Sequence, residues 1–218
     1  MPTSALIDLL LLAAIGYLVG SISGSLVLGR LRGIDIRTQG SGNAGGTNAL
    51  RTVGWPFALG VVLIDLGKGV VAAWLLPMSA PLLADGIPAP LWLACACGFA
   101  AVLGHVWPVY FGFRGGKGAG TAVGAVAVLA PWCIVPLLLV WLITLFGTGF
   151  VGLATILAGL SLVPSMYLLG PSPLPLALGV FAIALAVLLV FTHRSNLQRL
   201  VSGTENRFEK ARVLKRRR

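Results

Sequence analysis

Long apolar runs separated by short polar turns dominate the chain. Residues 5–28 form the first run, about 24 residues or roughly 36 Å of helix, enough to cross a bilayer. Gly16, Gly20, Ser21, Ser23 and Gly24 predict a small-residue face on it for close helix packing. A second span is predicted over 54–76, with Asp65 and Lys68 at i and i+3 on one helical face. Charges at that depth are costly and face an interior or a wet cavity, either as a neutralised pair that orients helices or as part of a site. Residues 77–90 read as a proline-rich external loop. A third span follows over 91–110, which Pro108 should kink or end because it lacks a backbone donor. From Gly118 to His193 the chain is mostly apolar, with breaks at 131–136, 147–149 and 170–173 that mark four segments, the first two short.

Composition turns these runs into a class. The chain is 57% hydrophobic and 10% charged, with a mean hydropathy of +0.96, whereas a soluble domain carries roughly 25% charge. It reads as one all-α polytopic membrane domain over 1–218. Sixteen Lys and Arg against six acids would suggest nucleic acid in a soluble protein. Here the cations flank apolar runs, so they signal topology and contact with anionic lipid, not nucleic acid. Arg30, Arg32 and Arg37 follow the first run, which places the N-terminus outside. Asp8, with no Lys or Arg ahead of the run, argues against a cleaved signal. The tail from about residue 206, ending in Lys215 and Arg216 to Arg218, should be cytoplasmic. An even number of crossings after Lys117 then gives about seven spans, two of them short, or five if two segments are re-entrant. Cys95, Cys97 and Cys133 lie inside apolar runs as small hydrophobes. The scattered acids and the two histidines predict no metal site, and no cofactor is expected.

Three polar stretches carry the candidate chemistry, and this topology puts all of them on the cytoplasmic side. Residues 40–51 hold four glycines, two hydroxyls (Ser41, Thr47), two amides (Asn43, Asn48) and Arg51, with no carboxylate. Gly40, Gly42 and Gly45 let backbone N–H groups approach a ligand closely, and such donor-rich turns suit a phosphate. Around Lys117, Gly115, Gly116 and Gly118 form a second turn leading into a helix start, with Thr121 beyond. A nucleotide P-loop fails on spacing, because Phe111 and Gly118 stand where glycine and Ser/Thr are required. A lysine among glycines at a helix start is still a good phosphate contact. In the third stretch, residues 193–205, His193 and Asn196 at i and i+3 can face one site. Cationic, metal-free pockets at a lipid boundary suggest an enzyme that joins a soluble phosphate to a lipidic one. A transporter of an organic phosphate is the competing class, but the internal repeat common in such folds is not visible. A membrane scaffold would leave the donor-rich turns unexplained.

Gly40-Ser-Gly-Asn-Ala-Gly-Gly-Thr-Asn-Ala-Leu-Arg51, Asp65-Leu-Gly-Lys68-Gly69, Gly104-His105-Val-Trp-Pro-Val, Gly115-Gly-Lys-Gly118 and His193-x-x-Asn196 stand in an order that resembles the bacterial acyl-phosphate-dependent glycerol-3-phosphate acyltransferases, the PlsY family. The likeness runs from the first span to Glu205. Gly46 and Gly120 stand where alanine is usual, and Arg114 where lysine is frequent. The resemblance implies acyl transfer from acyl phosphate to the 1-hydroxyl of glycerol 3-phosphate in the bacterial cytoplasmic membrane, giving lysophosphatidic acid and phosphate. It implies catalytic roles for Ser41, Arg51, Lys117, His193 and Asn196. Substrate binding would fall to Gly40, Gly42, Asn43, Gly45, Thr47, Asn48, Lys68, His105, Gly115, Gly116, Gly118 and Thr121. The His-x4-Asp signature of other glycerolipid acyltransferases is absent, since Tyr110 and Gln198 stand where the acid would be. The proton acceptor is either His193 or an oxygen of the acyl phosphate; the lack of a carboxylate beside a histidine favours the substrate.

Overall fold

The computed structural model describes residues 3–79 and 90–208, and side chains from residue 6. Most of the expected external loop and most of the expected basic tail lie outside them. Among the described residues all regular structure is helical, the arrangement that satisfies each segment's backbone within itself when water is absent. Backbone contacts group the chain into two compact units, Met1–Leu129 and Ala130–Arg218.

The first unit contains α1 (Thr3–Gly20), α2 (Gly24–Leu31), α3 (Gly46–Thr52), α4 (Trp55–Met78), α5 (Pro90–Val106) and α6 (Ala119–Leu129). α1 packs on α5, and α4 packs on both α5 and α6. The predicted small-residue face is where α1 meets α5. A Cβ on Gly20 would land on Ala101 O, one on Gly104 would land on Tyr17 O, and one on Gly16 would sit 2.8 Å from Cys97 O. Gly69 and Gly124 do the same for α4 and α6, against Thr121 O and Leu66 O. The first run departs from expectation, because it is not one straight helix. α1 stops at Gly20 and α2 resumes at Gly24 with a 44° bend. Gly20-Ser-Ile-Ser-Gly24 is a run of weak helix formers, and Lys68 Nζ donates to the carbonyls of Gly20 (2.6 Å) and Ile22 (3.0 Å) that the break exposes. As predicted, α5 ends just before Pro108, and a single 3-10 turn follows at Val109–Phe111.

The second unit contains α7 (Ile134–Thr148), α8 (Val151–Leu169), α9 (Leu176–Thr192) and α10 (Arg194–Val201), packed α7 on α8 and α8 on α9. The predicted breaks fall between these helices. Pro136 alone does not break its helix, because it sits in the first turn of α7, where backbone N–H groups have no intrahelical partner. Among the described residues four helices are long and apolar enough to cross a membrane, or six if each bent pair is one span, with α6 a shorter apolar helix. Leu138, Leu139 and Ile143 of α7 and Ile183 and Val187 of α9 are exposed, the pattern of faces turned to lipid. The three cysteines are buried and unpaired.

Candidate active site

The first glycine loop is a folded object set on its own core. Ala44 and Ala49 are fully buried and join Leu26, Ile36, Phe57, Val61 and Phe111 in one apolar cluster beneath it. Gly40 (φ +56°) and Gly42 (φ +71°) adopt backbone that other residues rarely reach. Asn48 ties the loop together. Its Nδ2 donates to Ile36 O (3.1 Å) and Gln39 O (2.9 Å), and its Oδ1 accepts from Ser41 N (3.0 Å). Both Nδ2 protons and one lone pair of Oδ1 are thus engaged, so the side chain staples the loop to the turn that precedes it. Ser41, Thr47 and Arg51 remain exposed.

The second turn meets the first loop. Gly116 N donates to His105 O (3.1 Å) and Gly115 N to Val106 O (3.2 Å), which folds the turn back along the end of α5. A Cβ on Gly116 would land on His105 Nε2 and lie 2.7 Å from Ala44 O, so the two loops touch backbone to backbone at this seam. Arg37 adds a second tie, donating through Nη1 to Phe111 O (3.1 Å) and Arg114 O (3.3 Å) while Asp35 grips its other face at 2.8 Å. Lys117 is half-buried between buried Gly116 and Gly118, whose positive φ (+87°) leads into α6. Thr121 is fully buried in the first turn of α6, and among the described residues its Oγ1 has no hydrogen-bond partner.

Beneath the seam lies a charged knot. Asp65 Oδ1 is 3.4 Å from Lys68 Nζ and 3.4 Å from His105 Nδ1, and it accepts from Gly24 N at 3.1 Å. Lys68 Nζ is 2.9 Å from His105 Nδ1. All three side chains are at most 5% exposed. Lys68, expected by resemblance to bind substrate, is committed to this knot and to the α1–α2 break. Removing one member of such a buried pair typically costs about 3–5 kcal/mol.

In the second unit His193 caps α9, with Nδ1 2.8 Å from Leu189 O. A carbonyl oxygen only accepts, so Nδ1 carries a proton and donates it to Leu189 O, and in the neutral tautomer that leaves Nε2 as the acceptor nitrogen. Asn196, in the first turn of α10, donates through Nδ2 to Glu205 Oε1 at 2.6 Å. Glu205 also takes Arg199 Nε at 2.7 Å.

These sites can be set beside known proteins. The family model described as glycerol-3-phosphate acyltransferase matches residues 10–203. The chain belongs to the glycerol-3-phosphate acyltransferase family. It is 41% identical over 210 residues to the glycerol-3-phosphate acyltransferase of Shouchella clausii, covering 94% of this chain and 98% of that one. It is also 41% identical over 197 residues to that of Halalkalibacterium halodurans, covering 88% and 91%. Among solved structures it resembles PlsY, an integral membrane glycerol 3-phosphate acyltransferase, in its glycerol 3-phosphate form (TM-score 0.80, 37% identity, 92% of this chain and 95% of that one). The lysophosphatidic acid form of PlsY gives a TM-score of 0.79 at 36% identity over the same shares. The protein is therefore an integral membrane acyltransferase of phospholipid synthesis.

Three residues of this acyltransferase escaped the sequence reading. Arg37 was read only as a topological charge, and Asp35 was not singled out at all. Glu205 closed the third polar stretch, and its rarity was the available signal, for the chain has only six acids.

Proposed function

We propose that this acyltransferase transfers a fatty acyl group from acyl phosphate to the 1-hydroxyl of glycerol 3-phosphate, releasing phosphate and lysophosphatidic acid. The observation that carries the reading is the seam at Ala44 and Gly116, where two donor-rich glycine turns meet beside Lys117. Arg51, Ser41 and the amides of the first loop hold one substrate phosphate. Lys117 and the amides around it hold the other. His193 and Asn196 orient the glycerol. The 1-hydroxyl oxygen attacks the acyl carbonyl carbon, the bond from that carbon to the bridging phosphate oxygen breaks, and inorganic phosphate leaves with the bridging oxygen. The hydroxyl proton passes to a phosphate oxygen of the donor. An acyl phosphate is already an activated anhydride, so alignment and charge stabilisation suffice. Orientation alone can contribute about 7–11 kcal/mol to lowering such a barrier, and one oxyanion donor about 3–4 kcal/mol.

The same reading sets the protein in the bacterial cytoplasmic membrane with about seven spans, the N-terminus outside and all polar turns on the cytoplasmic face. Purified protein given acyl phosphate and labelled glycerol 3-phosphate should form lysophosphatidic acid without added ATP and in the presence of a chelator, while acyl-CoA should not serve. Efficient use of the thioester, or loss of activity with chelator, would reject the donor assignment. In intact cells Arg114→Cys and Ser202→Cys should be shielded from an impermeant thiol reagent and Ser79→Cys labelled; the reverse would reject the orientation.

A further inference from the structure

Asp65, Lys68 and His105 are buried behind the loops and take no part in the chemistry proposed above. We infer that Lys68 fixes His105 as the neutral tautomer with its proton on Nε2, and that this donor edge positions the seam between the two glycine loops.

A lysine ammonium has three protons and no lone pair. Gly20 O and Ile22 O only accept, and they lie 2.6 and 3.0 Å from Nζ, so two protons go to them. The third has two candidates, His105 Nδ1 at 2.9 Å and Asp65 Oδ1 at 3.4 Å. The shorter contact takes it. A ring nitrogen that accepts from an ammonium carries no proton, so the imidazole proton is on Nε2. Asp65 Oδ1 is also 3.4 Å from His105 Nδ1, a longer contact than the 2.9 Å from the ammonium, and it accepts from Gly24 N and balances the lysine charge. With His105 neutral the knot carries no net charge, as its burial demands.

The far edge of the ring explains why the tautomer matters. Nε2 abuts Gly116 so closely that no Cβ fits between them, and Ala44 O approaches the same point from the first loop. A lone pair on Nε2 would put negative potential at the seam, on the side where the turn is proposed to hold an anion, whereas an N–H there has the favourable sign. Lys68 and Asp65 thus act through His105, which is a positioning residue for the loops.

The test combines spectroscopy with kinetics, and only the kinetic half rests on the acyl-transfer reading. The chain contains two histidines, so the full-length protein with isotope-labelled histidine gives two ring signals, and His193→Gln assigns the remaining one. His105 is expected neutral with its proton on Nε2, and Lys68→Met should abolish that preference. In turnover His105→Gln, whose amide can donate from the place of Nε2, should retain kcat/KM within about threefold, whereas His105→Asn, whose amide mimics Nδ1, should lose about tenfold or more. A proton on Nδ1, an imidazolium, or equal activity of the Asn and Gln variants would overturn the inference. If the variants fail to fold, the wild-type spectrum decides alone. An Nε2 proton in a protein that does not use acyl phosphate would support the inference and reject the donor assignment.

Discussion

Asn196 Nδ2 lies 2.6 Å from Glu205 Oε1, a short hydrogen bond from an amide to a carboxylate. This bond orients the Asn196 amide, with its NH2 toward Glu205 and its oxygen on the other side. Arg199 Nε, 2.7 Å from the second carboxylate oxygen, completes a small closed network around the α10 turn. A residue proposed to align substrate is therefore held by an acid nine positions further along the chain.

Glu205→Ala should remove both bonds and leave two donors without their acceptor, at a cost of about 1.5–3 kcal/mol. Thermal unfolding in detergent measures that cost, and Glu205→Gln should show a smaller one. In a double-mutant cycle Asn196→Ala and Glu205→Ala should couple by about 1 kcal/mol or more. Strict additivity would show that the carboxylate acts elsewhere.

Two glycines of the second turn should behave differently. Gly112 has a positive φ (+64°) with nothing within 4 Å of an added Cβ, so Gly112→Ala carries only backbone strain of about 1 kcal/mol. Gly116→Ala must displace either His105 or the Ala44 backbone, and it should reduce kcat/KM by about tenfold or more while costing additional stability. Parallel assays of turnover and melting distinguish the two; an active Gly116→Ala enzyme would mean that the seam opens at little cost.

The proposed phosphate seats can be told apart by steady-state kinetics with each substrate varied in turn. Arg51→Lys keeps charge but loses the planar fork that grips two oxygens. It should raise KM for glycerol 3-phosphate more than for acyl phosphate, by roughly one to two decades for one charge-assisted contact. Lys117→Ala should instead weaken acyl phosphate or lower kcat. The opposite pattern would exchange the two assignments.

Asp35 gives a prediction in pH. Hydrogen bonds from Arg37, first from its side chain and then from its backbone N–H, hold the Asp35 carboxyl below the ordinary carboxylate range. A lowered folded-state value means that the stabilisation is present above the unfolded value of about 3.9 and is lost as pH falls through the lowered one. The Asp35 side chain is 42% exposed, so solvent screening keeps the effect small. The stability difference between wild type and Asp35→Asn should be flat above about pH 5 and shrink below about pH 4. A difference that grows on acidification would contradict the sign.

Much of the molecule was legible before any coordinates. The breaks near Pro131, Gly147 and Gly170, the end of the helix before Pro108 and the small-residue face of α1 follow from local rules. Proline lacks a donor, glycine lacks a Cβ, and an apolar run of bilayer length has few alternatives to a helix. Asp65 and Lys68 were correctly placed on one face because helical spacing alone decides it. The donor-rich loops were visible as composition, since a glycine-rich stretch without carboxylates is readable residue by residue.

What local rules could not give was the partner of each polar group, because partners come from other elements. Nothing in residues 40–51 says that Asn48 staples its own loop, leaving Ser41, Thr47 and Arg51 exposed; that depends on where Ile36 and Gln39 present their carbonyls. Nothing near Lys68 in the sequence says that the broken end of α1 presents two carbonyls to it. The same break bends what hydropathy read as one straight span. Sequence determined which runs are apolar and long enough to form membrane helices, and where the donors gather along the chain. Tertiary structure decided which partner each buried donor takes, because a buried hydrogen-bonding group takes whatever partner the packing of its neighbours brings within reach.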